Sequence, residues 1–204
     1  MIKLYRHPLS GNSHRAELFL SLLGLDYHLI DVDLAAAEHK QPAFLKKNPF
    51  GQLPVLEDNG AVISESTAIL VYLAAKYAPE KWLPHDPVKA AEIERWLSIS
   101  TSRIQQGPAH ARLVTVFNAP FNHQEKIDQT HAFLSVLEDT LKQSQWLVGN
   151  EFSLAEIAAY TYIAHAPEGG VSLEQYPAIR DWLTRIESMS GFIGMQKSPN
   201  TVAA

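Results

Sequence analysis

Pro79, Pro84 and Pro87 fall within one short stretch, and neither a strand nor a helix period runs through it. Before it, short apolar runs alternate with helix-like spacing. After it, the β-branched alternation disappears and the apolar residues recur at helical intervals. The break predicts a mixed α/β domain over 1–78, a linker over 79–87 and an all-helical domain over 88–204.

Within the first part, Ile2 to His7 reads as a strand ending at Pro8, and Ser13 to Leu23 as a helix stopped by Gly24. Tyr27 to Val32 is a second strand and Lys40 to Lys47 a short helix. Asp58-Asn59-Gly60 between Val55–Glu57 and Ala61–Ile63 is a hairpin signal, because Asn-Gly tolerates the positive φ of a tight turn. Glu65 to Tyr77 is a helix with Ile69, Leu70, Leu73 and Tyr77 on one face. The order is βαβαββα. Beyond the prolines, Val88 to Gln106 forms a long helix ended or kinked at Gly107-Pro108 and continued by Ala109 to Phe117. Ile127, Leu134, Leu137 and Leu141 mark another. Ser153 and Glu156 form a capping box for a helix reaching about His165, and Pro177 opens a last helix through Met189.

Composition narrows the chemistry. Against 22 Asp+Glu stand 17 Lys+Arg, with no basic block for a phosphate backbone or an anionic bilayer, so nucleic acid and membrane are not expected partners. The longest apolar run, Ala68 to Ala75, is far short of the ~20 residues a span requires, no secretion signal opens the chain, and a cytoplasmic location is the default expectation. There is no cysteine. Disulfides, thiolate metal sites and a cysteine nucleophile are therefore excluded, and any thiol must arrive with a ligand. No HExxH or HxH pairing supports a metal, and no GxSxG, P-loop or GxGxxG supports a hydrolase, NTPase or dinucleotide site.

Ser10 lies where a loop leaves the first strand and enters a helix. The free N–H groups and dipole of such an end favour an anion, and a hydroxyl there either caps the helix or donates to a bound anion. Ser13 is the rival hydroxyl. The segment His39-Lys40-Gln41-Pro42-Ala43-Phe44-Leu45-Lys46-Lys47-Asn48-Pro49-Phe50-Gly51-Gln52-Leu53-Pro54-Val55-Leu56, followed by Ser64-Glu65-Ser66, sharpens the reading. With Pro8 to Arg15 and the later capping box, it resembles the glutathione S-transferase family over essentially the whole chain. The likeness is closest to bacterial, serine-type members near the phi and theta-like branches. Tyrosine-type relatives carry their activating tyrosine where this chain has Leu9.

The resemblance implies a thioredoxin-like N-terminal domain, an all-α helical-bundle C-terminal domain, and glutathione as co-substrate without a metal. It makes Ser10 the residue that keeps the glutathione sulfur as a thiolate, with Ser13 as fallback. Ser10, Gly11, His39, Lys40, Gln52, Leu53, Glu65 and Ser66 would bind the tripeptide, with His39 and Lys40 at the glycyl carboxylate. Leu53 would pair with the cysteinyl main chain beside a cis Pro54, and Glu65-Ser66 would meet the γ-glutamyl zwitterion. The helical domain would wall a pocket for a small electrophile, with Ile104, Gln105 and Arg112 as candidates; read alone, an arginine such as Arg112 is more often a salt-bridged surface residue than a substrate clamp. Phe50 occupies the place where relatives project an aromatic into a partner subunit, implying a homodimer, with core packing as the alternative. The function so implied is a detoxifying glutathione transferase. A non-catalytic glutathione-binding scaffold and a glutathione-dependent disulfide or peroxide reductase are the alternatives.

Overall fold

A computed structural model describes residues 1–199 of the chain. Four strands, β1 (Ile2–Arg6), β2 (Tyr27–Asp31), β3 (Val55–Asp58) and β4 (Ala61–Ser64), form one sheet in the order β2-β1-β3-β4. β2 runs parallel to β1, while β3 and β4 are antiparallel to their neighbours. Side chains alternate across the sheet, so the pairs Leu4↔Leu56 and Tyr5↔Val55 serve opposite faces. On one face Val32, Phe44 and Val55 make a small core with Tyr5 and Leu53 at its edge. The parallel β1–β2 connection requires a crossover, which α1 (Gly11–Leu22) supplies. It ends at Gly24, whose φ of +63° suits a residue without Cβ. Asn59 and Gly60, both with positive φ, make the two-residue hairpin between β3 and β4.

The stretch expected as one short helix from Lys40 is two pieces, a 3₁₀ turn (Glu38–Lys40) and α2 (Pro42–Leu45), separated by extended Gln41 because Pro42 disfavours helical φ/ψ just before it. α3 (Ser66–Tyr77) packs against α1 and buries Ile69, Leu70 and Leu73. Tyr77 departs from the expected core stripe, since its hydroxyl donates to the Asp58 carboxylate at 2.6 Å, beside Lys76 Nζ at 2.6 Å.

One compact unit comprises Met1–Leu83 with Ser190–Gln196, and the other begins at Pro84. Part of the stretch expected as linker is ordered: α4 (Pro79–Trp82) ends in a buried Trp82 whose ring stands edge-on to Phe19 at 4.9 Å. Ser190–Gln196 is fastened to α1 by Ser21, which donates to the Gly191 carbonyl at 2.7 Å, and by the His14–Ile193 hydrogen bond at 2.9 Å.

In the helical unit, Asp86 caps α5 (Pro87–Thr101), which stops earlier than its period suggests. Pro108 does not end the helical path. A π-helical turn over Gln105–Ala109 absorbs the missing N–H, and α6 (His110–Phe117) continues from it. α7 (His123–Gln143) carries Glu138, whose two carboxylate oxygens accept from the Ala178 and Ile179 N–H groups and so cap α9 (Pro177–Glu187). α8 (Leu154–Ala164) is buried on every side from Leu154 to Ile163, which identifies it as the central helix of its unit.

The capping box opens α8. Ser153 Oγ accepts from the Ala155 N–H at 3.2 Å, and Glu156 accepts from the Ser153 N–H at 2.8 Å and the Leu147 N–H at 2.6 Å. Ser153→Ala is expected to cost about 1 kcal/mol, a fall of roughly 2–4 °C in melting temperature for a chain of this size, readable by thermal denaturation.

Candidate functional site

Ser10 is the N-cap of α1, with extended φ/ψ and an Oγ that accepts from the Ser13 N–H at 3.3 Å. That bond uses an oxygen lone pair. The hydroxyl proton has no acceptor among the described residues, so capping and donation to an anion are compatible roles. Gly11 is the first helical residue. Ser13 is fully buried, and its Oγ accepts from the His7 N–H at 3.4 Å. Of the two rival hydroxyls, Ser10 is the accessible one.

The second group of candidates is assembled by a residue the sequence presents as loop punctuation. Asn48, 1% exposed, donates from Nδ2 to the Gln52 carbonyl at 2.9 Å and accepts from the Phe50 N–H at 3.1 Å, and its carbonyl accepts from the Gly51 N–H at 2.8 Å. The turn so held brings Gly51 beneath the 3₁₀ segment. A Cβ there would lie 2.7 Å from the His39 carbonyl oxygen and 3.0 Å from Lys40 Nζ, and its φ is +58°. Lys40 donates to the carbonyls of Phe50 at 3.1 Å and Gly51 at 2.9 Å, which leaves a third ammonium proton for a ligand. His39 Nδ1 is buried without a hydrogen-bond partner among the described residues. Burial and the neighbouring Lys40 charge hold the imidazole below its ordinary pKa. Gly51→Ala combines a left-handed backbone with a collision, and is expected to destabilise the unit by about 2 kcal/mol or more in urea unfolding.

Gln52 is exposed, and Leu53-Pro54 is a cis peptide bond. Neither the N–H nor the C=O of Leu53 is hydrogen-bonded among the described residues, although the β3 ladder begins two residues later. Those two groups offer an extended peptide the pairing of one more strand. Glu65, the N-cap of α3, has φ +69° and ψ +119°, a conformation costing about 1–3 kcal/mol for a residue with Cβ. Strain of that kind sits at sites more often than in scaffolds. Ser66 occupies the first helical position, 6% exposed, and its Oγ accepts from Arg15 Nη1 at 2.7 Å. Arg15, itself 1% exposed, carries no site role in the sequence pattern; its buried guanidinium joins the openings of α1 and α3.

The helical-unit candidates fare differently. Ile104 is fully buried. Arg112 is neither a surface bridge nor an exposed clamp, since its guanidinium is buried and Nε donates to Glu168 Oε2 at 2.7 Å. Gln105 is half-buried on the π-helical turn. A cavity of about 570 Å³ in this unit is lined by Trp96, Ile99, Arg103, Phe133 and Val136, among others, and not by Ile104, Gln105 or Arg112. Phe50, 75% exposed, is not core. The described residues contain no group of three or more His, Asp or Glu able to hold a metal, and no helix among them is long and apolar enough to cross a membrane.

Residues 1–75 match the glutathione S-transferase N-terminal domain and residues 109–189 its C-terminal domain. Glutathione S-transferase 3 of Zea mays is 38% identical over 164 residues, covering 76% of this chain and 73% of the relative. The disulfide-bond oxidoreductase YfcG of Escherichia coli is 32% identical over 203 residues, covering 92% and 91%. The crystal structure of a glutathione S-transferase from Pseudomonas fluorescens superposes with a TM-score of 0.88 at 33% identity, covering 96% of this chain and 99% of that one. Matched by both domain models and by relatives over most of its length, the chain belongs to the glutathione S-transferase family.

Proposed function

We infer that this protein is a glutathione transferase in which Ser10 holds the glutathione sulfur as a thiolate for direct attack on small electrophiles. The observation that carries the reading is the Ser10 hydroxyl: fixed at a helix N-terminus by the Ser13 N–H, with its proton uncommitted among the described residues. A neutral hydroxyl cannot take the thiol proton, but it stabilises the thiolate once the proton has left. Lowering a thiol pKa from about 8.5 to about 6.5 requires roughly 2.7 kcal/mol, within reach of one charge-assisted hydrogen bond at a helix end. Catalysis then rests on proximity and charge stabilisation, with no covalent protein intermediate.

The rest of the tripeptide has partners of matching chemistry. Leu53 offers main-chain groups to the cysteinyl residue, and Gln52 adds a side chain. Lys40 and His39 suit the glycyl carboxylate, while Ser66 and Glu65 suit the γ-glutamyl carboxylate and ammonium. The exposed ring of Phe50 supports a homodimer in which a second copy covers it. A cytoplasmic setting, where glutathione is abundant and reduced, belongs to the same reading.

Calorimetry with millimolar glutathione tests the reading, together with ultraviolet absorption of the bound thiolate against pH and turnover of a panel of electrophiles. Absence of binding removes it. Binding without conjugation replaces it with a non-catalytic glutathione-binding module. A second reading, glutathione-dependent disulfide reduction, is supported by the name of the Escherichia coli relative. With no cysteine in the chain, the mixed disulfide would form on glutathione itself, and a second glutathione would release the other thiol as oxidised glutathione forms. Faster turnover of a dialkyl disulfide than of any alkylating electrophile favours it.

A further inference from the structure

We propose that Arg15 is a positioning residue for the γ-glutamyl carboxylate of glutathione, acting through the Ser66 hydroxyl; the proposal rests on the glutathione reading of the site. Arg15 lies on the second turn of α1 and Ser66 at the first position of α3. Arg15 Nη1 donates to Ser66 Oγ at 2.7 Å and also to Asn12 Oδ1 at 3.2 Å. A guanidinium only donates. Ser66 Oγ is thereby committed as acceptor on the Arg15 side, and its own proton must point elsewhere. No acceptor for that proton exists among the described residues, although Ser66 is 6% exposed.

The hydroxyl proton is therefore left for an acceptor from outside the described residues, at the first position of α3 and next to the strained Glu65. A donation from a buried cation polarises the O–H bond, so the Arg15–Ser66 chain delivers part of a buried positive charge to whatever accepts the Ser66 proton. A carboxylate benefits from that polarity much more than a neutral amide. Arg15 in this way sets a preference for an anionic γ-glutamyl end without touching the ligand.

The test compares glutathione with its analogue in which the γ-glutamyl α-carboxylate is a primary amide, by calorimetry on the full chain. Wild-type protein is expected to bind glutathione about tenfold or more tightly than the amide. Arg15→Gln should weaken glutathione about tenfold and leave the amide nearly unchanged, so that the preference collapses. Ser66→Ala should collapse it equally, and the double variant should be no worse than Ser66→Ala alone, because both act in one chain of bonds. Arg15→Lys, which restores the charge but not the planar fork, should recover part of the preference. In steady state, KM for glutathione rises while kcat at saturation holds.

Equal weakening of both ligands in Arg15→Gln makes Arg15 a structural residue and overturns the proposal. Should that variant fail to fold, Ser66→Ala, which removes one oxygen atom, carries the test, and a retained preference there overturns it as well. Wild-type protein that binds neither ligand overturns the glutathione reading itself. That outcome differs from wild-type protein whose preference survives the Arg15 change.

Discussion

A Ser10→Ala variant is expected to conjugate glutathione about tenfold more slowly at pH 7 while binding it within a few-fold of wild type. If the hydroxyl and helix end together hold the bound thiol near a pKa of about 6.5, returning it toward about 8.5 lowers the thiolate fraction at pH 7 roughly 25-fold. A more basic thiolate is a better nucleophile, and a Brønsted slope of about 0.4–0.5 returns part of that loss. Losing the bond that aims the sulfur takes some of it away again. The difference should therefore shrink as pH rises past about 8.5, where both proteins hold the thiolate. Absorption of the bound thiolate against pH reads the shift directly, and an unchanged midpoint in the variant removes Ser10 from the mechanism. Ser10→Thr, which keeps both hydroxyl and cap, should recover most of the rate. Capping alone predicts instead a stability loss of about 1 kcal/mol with no change in the thiol titration.

The contrast between Ser10 and Ser13 shows which parts of such a site a sequence carries. Ser10 is legible because local rules place it: a strand end, a short loop and the first apolar residues of a helix. The same holds for the Asn59-Gly60 turn and for the Ser153–Glu156 box, whose partners lie within three residues of one another. Burial distinguishes the two hydroxyls, Ser13 being fully buried, and only the packed unit supplies that difference. Arg15 and Ser66 are 51 positions apart and Arg112 and Glu168 are 56 apart, so no period or spacing joins them. Asn48 is hidden for another reason. Asn-Pro reads as turn chemistry, and that reading is correct locally; its side chain also ties together Phe50 and Gln52. Pro108 is ambiguous in principle, because a proline that ends a helix and one absorbed by a π-helical turn interrupt the sequence pattern identically.

Glu168→Gln is expected to lower the unfolding free energy of the protein by about 3–5 kcal/mol, because it strips the charge facing a buried guanidinium. Arg112 and Glu168 side chains are 1% and 5% exposed, and the carboxylate also accepts from His165 Nδ1 at 2.9 Å and from the Ser198 N–H at 3.2 Å. The surroundings cannot relax easily. A Cβ on Gly169 would lie 2.7 Å from the Arg112 backbone nitrogen, so α6 and the later 3₁₀ turn (Ala166–Gly169) are already in close contact. Replacing Arg112 and Glu168 together by apolar residues of similar volume should cost less than either single change, since no unpaired charge is then left inside.

The same cluster gives stability a pH dependence of definite sign. Burial, helped by the Arg112 and Lys197 charges and opposed by the Glu168 hydrogen bond, holds His165 below its ordinary value of 6.5. As pH falls below that value the unfolded chain takes up the proton before the native state does, and stability declines. Burial works against the charged form of Glu168, yet His165 and Arg112 keep its carboxyl below the ordinary 4.5, so a second loss comes at more acid pH as the native carboxylate is finally protonated. His165→Asn retains a donor toward Glu168 but cannot titrate. Urea midpoints measured between pH 7 and 5 should fall more steeply in the wild type than in this variant, where His39 and His110, also held below 6.5 chiefly by burial, still contribute a decline, with the urea slope unchanged in both. Parallel declines in the two proteins would assign the acid sensitivity to another histidine.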